Sequence, residues 1–469
     1  MRIAIVILNW NGRSWLERFL PGVVRLCEGA EVVVADNGST DGSADWLEQQ
    51  PGVRCIRLGT NLGFAGGYND ALKRVEADRF VLLNSDVEVQ PGWIGAMNRC
   101  MDSHPAMAAC QPKVRSFHAP DRFEHAGAAG GFIDRNGYPF CRGRIFEMTE
   151  VDTGQYDGDA EVFWATGACL MIDAAAFRSV GGFDADLFAH MEEIDLCWRL
   201  RRRGHRIGYT SAAVIHHVGG GSLGYGSPHK TYLNFRNSLI VLTKNLHSGA
   251  FGYWLFRRLV LDGFAALKFL LEGHAPHAWQ VVRAHWHYFA RLPKVLAQRR
   301  ALMTEERSPD LTGMYHRSIA YDRFILGWKR FDQHLARDRR ARFPARPLGR
   351  RRWHDEHLLR GSRACAAEHD RHERDARHGR RTADFPTIPP GPTVAGIAVA
   401  GTTRRPSRFA ARGRTPGRAR TARAVRQTLP STWSKITHHE SRNRVVLRRA
   451  PMTRHRGPGL RIDRIAATL

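Results

Sequence analysis

Four apolar, β-rich runs at residues 3–8, 31–35, 53–58 and 79–83 each end in a polar cluster and give way to a stretch with helical character. In residues 14–26, Trp15, Phe19, Leu20 and Val23 recur at helical spacing. Asp41 and Ser43 offer N-caps for a helix through 47, and a glycine-rich start leads into a helix over 64–75. Pro91 holds a first-turn position ahead of a helix over 92–101. Continuous apolar runs are buried on both faces, and strands separated by helices pair in parallel. The spacing therefore predicts an α/β fold, a mostly parallel sheet with helices on both faces. Ligands in such sheets bind beyond the carboxyl ends of the strands. Asn9-Trp10-Asn11, Asp36-Asn37-Gly38-Ser39 and Asn84-Ser85-Asp86 all fall there.

Residues 108–162 are glycine-rich and read as short strands and loops. A strand over 168–172, a helix over 174–180, a turn at 181–184 and a helix over 194–203 capped by Gly204 follow, then strands at 207–209 and 213–215. A helical extension over 226–335 is rich in Trp, Phe and Arg. Its apolar runs fall short of the roughly 18–20 residues that a spanning helix needs. Such basic, aromatic helices either lie on a membrane surface as a peripheral contact or pack on the domain formed by 1–225. The opening apolar run ends at Asn9 without a cleavage-like site, so no signal peptide is expected. Eight cysteines without a CxxC pair suggest neither a zinc site nor a disulfide framework and fit a reducing cytoplasm.

The net charge of +26 suggests a nucleic-acid binder until its distribution is read. Residues 336–469 carry 33 basic against 10 acidic side chains, all but one of the basic ones Arg, whereas the part before them carries 38 against 35. The tail has no sustained period and too little apolar content to offset ordering, so disorder is expected there. An Arg-rich arm for nucleic acid or anionic lipid is one reading of it. A reading-frame shift in GC-rich DNA is the other, and it is favoured by the abrupt loss of Lys. The balanced first part argues against nucleic acid as the main partner.

Each polar cluster has a chemical reading beside a structural one. Asp36, with Asn37, Gly38 and Ser39, can accept hydrogen bonds from a base or ribose, or form a turn and helix cap. Asn61-Leu62-Gly63-Phe64-Ala65-Gly66-Gly67-Tyr68-Asn69 can bring backbone close to a phosphate at a helix start, or make a tight connection. Asn84, Ser85 and Asp86 offer oxygen ligands for Mg²⁺ or Mn²⁺, or an Asx turn. Glu192, Glu193 and Asp195 crowd a helix start, where one can be a general base, although helix N-termini favour acids anyway. His217 precedes a glycine-rich loop and can ligate a metal or contact phosphates, as can its neighbour His216.

Taken in order, these blocks resemble family 2 glycosyltransferases, with Gly181-Gly182-Phe183-Asp184 completing the set, and the subgroup they are most similar to is rhamnosyltransferase-like. The resemblance covers about residues 1–330. It implies a GT-A fold, the Rossmann-like nucleotide-sugar-binding architecture, and inverting transfer in bacterial surface polysaccharide synthesis. The implied donor is a dTDP-, UDP- or GDP-linked sugar and the implied acceptor a saccharide or polyprenyl-linked one. The implied location is cytoplasmic, at the inner face of the cell membrane. The implied donor-binding residues are Asn9, Asn11, Asp36, Asn37, Gly38, Ser39, Asn61, Gly63, Phe64, Gly66, Asn69, Asn84 and Ser85. Asp86 and His217 would hold the metal, and Glu193 would be the base, with Glu192 and Asp195 its rivals. Asn84 stands where many relatives carry the first Asp of the metal motif. A nucleotide-sugar-binding protein without transfer activity, and a nucleic-acid or anionic-surface binder acting through the tail, are the competing readings.

Overall fold

The computed structural model describes residues 1–219, 226–246, 249–304 and 313–335, all within one compact unit. The expectations for the tail after 335, disorder, frameshift or basic arm, lie outside the described residues.

The predicted alternation is present. Strands β1 (Ile3–Asn9), β2 (Glu31–Asp36), β3 (Val53–Arg57) and β4 (Arg79–Asn84) alternate with helices α1 (Arg13–Arg25), α2 (Ser43–Leu47) and α3 (Gly63–Leu72). β1 lies between β2 and β4, and β2 pairs with β3, all in parallel. β5 (Val87–Val89), α4 (Trp93–Asp102) and β6 (Met107–Ser116) follow. A small second sheet contains β7 (Gly131–Asp134), β8 (Pro139–Cys141), β9 (Arg144–Ile145) and β10 (Met148–Thr149). The chain returns to the main sheet with β11 (Asp159–Val162) and β12 (Cys169–Asp173), continues through α5 (Ala174–Ser179) and α6 (Glu192–Arg202), and adds β13 (Arg206–His217). The main-sheet order is β11-β13-β6-β12-β4-β1-β2-β3, with β5 paired to β13. β12 runs antiparallel between β4 and β6, so the sheet is mixed but mostly parallel. The two end strands expected at 207–209 and 213–215 are one strand. An irregularity between Thr210 and Val214 breaks its pairing with β6 and hid its continuity.

Alternation along β1 divides the core. Ala4 and Val6 pack with Tyr68 of α3, Phe80 and Trp198 of α6, while Ile5 and Ile7 pack with Leu16 and Leu20 of α1 and Trp93 and Met97 of α4. The extension forms α7 (Pro228–Asn245), α8 (Phe251–Leu271) and α9 (Ala275–Thr304), and α7 packs on both α6 and α9. β14 (Met314–Tyr315) joins the small sheet beside β7, followed by α10 (Ile319–Phe324) and α11 (Phe331–Leu335). Among the described residues no helix is long and apolar enough to cross a membrane, and the seven cysteines there are free.

Candidate active site

Strand register brings the first polar clusters together. Asn9 lies opposite Asp36, and Leu8 opposite Asn84, at the carboxyl ends of β1, β2 and β4. The buried Asn9 amide donates to Asp36 Oδ1 (3.2 Å), Ser39 Oγ (3.2 Å) and Ser43 Oγ (2.9 Å), while its own Oδ1 has no hydrogen-bond partner. Asn11, at φ 50°, accepts from the Thr40 amide at 2.7 Å and donates its own amide to Ser39 Oγ at 2.9 Å. Asp36 Oδ2 accepts from the Ser39 amide at 3.1 Å. Gly38 is left-handed at φ 76°, and a Cβ there would meet the Thr60 backbone at 2.7 Å.

The asparagines of the glycine-rich block tie it to its neighbours. Asn37 Nδ2 donates to Asn61 Oδ1 and to the Gly63 carbonyl, both at 3.1 Å, and Asn37 Oδ1 accepts from the Leu62 amide at 3.0 Å. Asn69 exchanges two hydrogen bonds with the Phe183 backbone. A Cβ on Gly63 would meet the Phe188 ring at 2.4 Å, and one on Gly66 would meet Leu62 at 3.1 Å. Close protein packing therefore already requires glycine at 63. Phe64 lies beside Gly167, where an added Cβ would meet the Phe64 ring at 3.1 Å and Glu193 Cβ at 4.0 Å. The loop thus adjoins the acidic block.

A second cluster gathers at the ends of β4 and β13. His217 Nε2 lies 3.2 Å from Asp86 Oδ1 and 3.4 Å from Asn84 Nδ2, while its Nδ1 lies 3.1 Å from Glu124 Oε2. All but Asn84 are buried. Burial disfavours an imidazolium, but the hydrogen bonds and charges of both carboxylates override it and push the His217 pKa up to about 10. Burial likewise works against charge on Asp86, yet His217 holds its pKa below the usual carboxylate value. Ser85 faces Gly12, and His216 pairs with the half-exposed Glu88 at 3.3 Å, away from this cluster. A cavity of about 270 Å³ adjoins it, lined among others by Ser116, His118, Arg122, Glu124 and Val218.

The three acidic residues of α6 separate in character. Asp195 is fully buried and spent on internal pairing, at 2.8 Å each from Arg199 Nε, Lys244 Nζ and Asn245 Nδ2. Burial alone would raise its pKa, but these partners hold it at about 2. Glu192 is buried, and desolvation with the Glu193 charge pushes its pKa well up. Glu193 alone of the three keeps partial exposure. Burial raises its pKa to about 7, against the pull of local backbone amides and the Arg144 charge. One carboxylate oxygen of Glu192, one of Glu193, Nε2 of His190 and Nε of Arg144 are buried without hydrogen-bond partners. Orphaned polar atoms gathered at one place mark where a polar ligand would satisfy them.

The backbone leading into α6 is strained. Phe188, His190 and Met191 take φ values of 65°, 68° and 73°, which L-residues with large side chains avoid. Asn237 of α7 holds this turn, donating to the carbonyls of Leu187 (2.8 Å), Ala189 (2.8 Å) and His190 (2.7 Å), and Arg236 donates to those of Asp186 and Leu187. Lys244 joins Asp195 to Asp184 of the Gly-Gly-Phe-Asp turn at 2.6 Å. The sequence reading missed Glu124, Arg144, Asn237 and Lys244. The available signal was the polar Arg236-Asn237 pair just ahead of the apolar run 239–242 of α7.

The pattern of Glycosyl transferase family 2 matches residues 4–181. An N-acetylglucosaminyl-diphospho-decaprenol L-rhamnosyltransferase of Mycobacterium tuberculosis is 30% identical over 235 residues, 46% of this chain and 76% of that protein. A low-salt glycan biosynthesis hexosyltransferase of Haloferax volcanii is 24% identical over 246 residues, 51% of this chain and 74% of its own. Among solved structures, S. aureus TarS 1-349 in complex with UDP-GlcNAc is similar at 17% identity and a TM-score of 0.41, covering 68% of this chain and 93% of its own. The chain belongs to glycosyltransferase family 2. It is a glycosyltransferase with the GT-A arrangement of a mostly parallel sheet and flanking helices.

Proposed function

We propose that the chain transfers a hexose, with rhamnose the first candidate, from a nucleoside-diphosphate sugar to a lipid-linked saccharide at the inner face of the cell membrane, with inversion. The observation that carries the reading is Glu193. It is a carboxylate with an unpartnered oxygen and a pKa near 7, adjoining the glycine-rich loop. Such a group is half-ionised at neutral pH, where a general base works best. The acceptor hydroxyl forms a bond to the anomeric carbon, the bond from that carbon to the diphosphate oxygen breaks, and Glu193 takes the hydroxyl proton. The diphosphate leaves with the electron pair. The partnering of Asp195 and the burial of Glu192 favour Glu193 over its two rivals.

Asn9, Asn11 and Asp36 would face the nucleoside, with Ser39 and Gly38 shaping the floor. Asn37, Asn61, Gly63, Phe64, Gly66 and Asn69 would hold the donor loop, and Asn84 and Ser85 would flank the diphosphate. Asp86 and His217 would fit a divalent cation such as Mg²⁺ or Mn²⁺ once the cation displaces the Nε2 proton that His217 shares with Asp86, with Glu124 on Nδ1 holding the ring in place. Among the described residues no group of three His, Cys, Asp or Glu side chains is arranged to hold a metal ion. A cation at this pair would therefore complete its shell with donor phosphate and water. When bound, it would neutralise charge on the departing diphosphate. The polyprenyl acceptor is supported by the M. tuberculosis relative, whose name specifies a diphospho-decaprenol.

The test is calorimetric titration of the full chain with dTDP-, UDP- and GDP-sugars, with and without Mn²⁺. One donor class is expected to bind with metal, and Asp86→Ala to weaken it. Equal binding by parent and D86A in the presence of metal would remove the assignment of Asp86, and no binding of any nucleotide sugar would remove the donor reading.

A further inference from the structure

Helix α8 is inverted in polarity. Arg258, Asp262 and Lys268 point inward and are buried, while Tyr253, Phe256, Val260, Phe264, Leu267 and Leu271 are exposed, Phe256 by 65% and Leu271 by 70%. Those six apolar residues follow one another at intervals of three and four, so they form a single stripe along the helix. The inward charges are satisfied within the protein. Arg258 Nε donates to Asp262 Oδ1 at 2.7 Å, and Asp262 also meets the Tyr138 hydroxyl and His285 of α9, each at 3.2 Å. On α9, packed against α8, Trp279, Val282, Trp286 and Phe289 repeat the spacing and are also exposed, Trp286 by 76%. Soluble monomers rarely leave apolar patches larger than a few hundred Å² open to water. A stripe of this composition on each of two packed helices needs an occupant.

The surrounding charge selects that occupant. From Phe251 to Thr304 the sequence holds eight Lys and Arg against only Asp262 and Glu272. Asp262 is buried, and Glu272 pairs with Lys268 at 3.2 Å. Arg257, Arg283, Arg291 and Arg300 make no ion pair among the described residues. The Arg257 guanidinium lies instead over the Tyr253 and Trp254 rings, at 5.8 and 5.2 Å from their centroids. Aromatic and aliphatic side chains flanked by unpaired arginines match the interface of an anionic bilayer, with rings at the headgroup level and guanidinium groups on phosphate. A second copy of the chain would set one cationic rim against another.

We propose that the outward faces of α8 and α9 dock peripherally on an anionic lipid bilayer. The docking stands independently of the donor and base assignments, and it would bring the transferase to the surface where a lipid-linked acceptor resides. The experiment is flotation of the full chain with vesicles of phosphatidylcholine alone and of phosphatidylcholine and phosphatidylglycerol in equal parts. The parent should float with the mixed vesicles. Phe264→Ser, Trp279→Ser and Trp286→Ser combined should lower the bound fraction about tenfold or more. Arg283→Glu with Arg291→Glu should weaken binding to mixed vesicles and leave the neutral ones unchanged. Donor hydrolysis equal to the parent shows that the variants are folded. A parent that stays in the soluble fraction overturns the proposal, as does a serine variant that floats like the parent. So does a serine variant whose only change is loss of a dimer in sedimentation. A chain that floats but transfers nothing to a lipid-linked saccharide would retain the docking and lose the acceptor reading, and transfer without flotation would do the reverse.

Discussion

Glu193 is where the protein sets its chemistry against its stability. Its pKa rises from the ordinary 4.5 to about 7 on folding, chiefly through burial. Between those values the folded chain keeps a proton that the unfolded chain has lost, so stability falls as pH rises through this window and the penalty is complete above it. Glu193→Gln stays neutral at every pH. The variant should therefore be more stable than the parent at pH 8, with the gain disappearing below about pH 4.5, as thermal melts across pH would register. Asp195 has the opposite sign. Its partners hold it at about 2, so its stabilising contribution is present above the ordinary carboxylate value and is lost only as pH falls toward 2. Asp195→Asn leaves Lys244 and Arg199 without that charge and should destabilise the fold by roughly 3–5 kcal/mol, the cost of breaking a buried pair. Urea midpoints would read it. The residues alone exposed the three acids without ranking them, and it was the resemblance that put Glu193 first; Arg199 lies four residues beyond Asp195, but Lys244 and Asn245, which complete its pairing, arrive from α7 about fifty residues later.

At the scale of elements, the turn from Phe188 to Met191 and helix α7 work as a pair. Phe188, His190 and Met191, all at positive φ, aim Glu192 and Glu193, and Asn237 holds the turn by three carbonyls. Asn237→Ala removes the two N–H donors shared among the three carbonyls and the acceptor of Arg236 Nε, hydrogen bonds of roughly 1 kcal/mol each. It should lower kcat by loosening the turn that aims the base, and it should raise the donor KM as well, because Phe188 of that turn packs on Gly63 and accepts from the Ala65 amide of the donor loop; steady-state kinetics separates the two effects. Up to 102 the strands and helices other than β5 were legible because apolar runs and capping residues are local signals, whereas β5 is three residues long and too short to show a period. The strain at 188–191 was not, because Phe, His and Met carry no sequence mark of positive φ. The continuity of β13 was hidden by its irregularity at Thr210 to Val214. In the glycine-rich loop the residues were visible, but not that Gly63 is required by the Phe188 ring and Asn69 by the Phe183 backbone.

For the whole molecule, the polar clusters identified from the sequence converge at the strand ends because the parallel register of β1, β2 and β4 aligns them, and alternation alone indicated that much. Two inputs to the site were beyond local reading. Glu124 comes from the segment between β6 and β7, and Asn237 and Lys244 come from the helical extension. The sequence reading placed a domain boundary at 225, ahead of α7, yet α7 supplies the clamp on the turn before α6. Every described residue assigned to the site or its support lies before 246. A chain ending at 335 should therefore keep the donor turnover of the full chain, measured as nucleoside diphosphate released. Loss of turnover would show that the Arg-rich segment acts in catalysis.

The most direct test of Glu193 as the base is single-turnover transfer at saturating donor, parent beside Glu193→Gln, across pH 5.5 to 9. The expected result is unchanged donor affinity, a parent rate that rises with pH and levels off above about 7, and a glutamine variant slower by about 10²–10⁴ with that rise abolished. A glutamine variant within a few-fold of the parent, with the same pH limb, would contradict it and pass the role to Glu192.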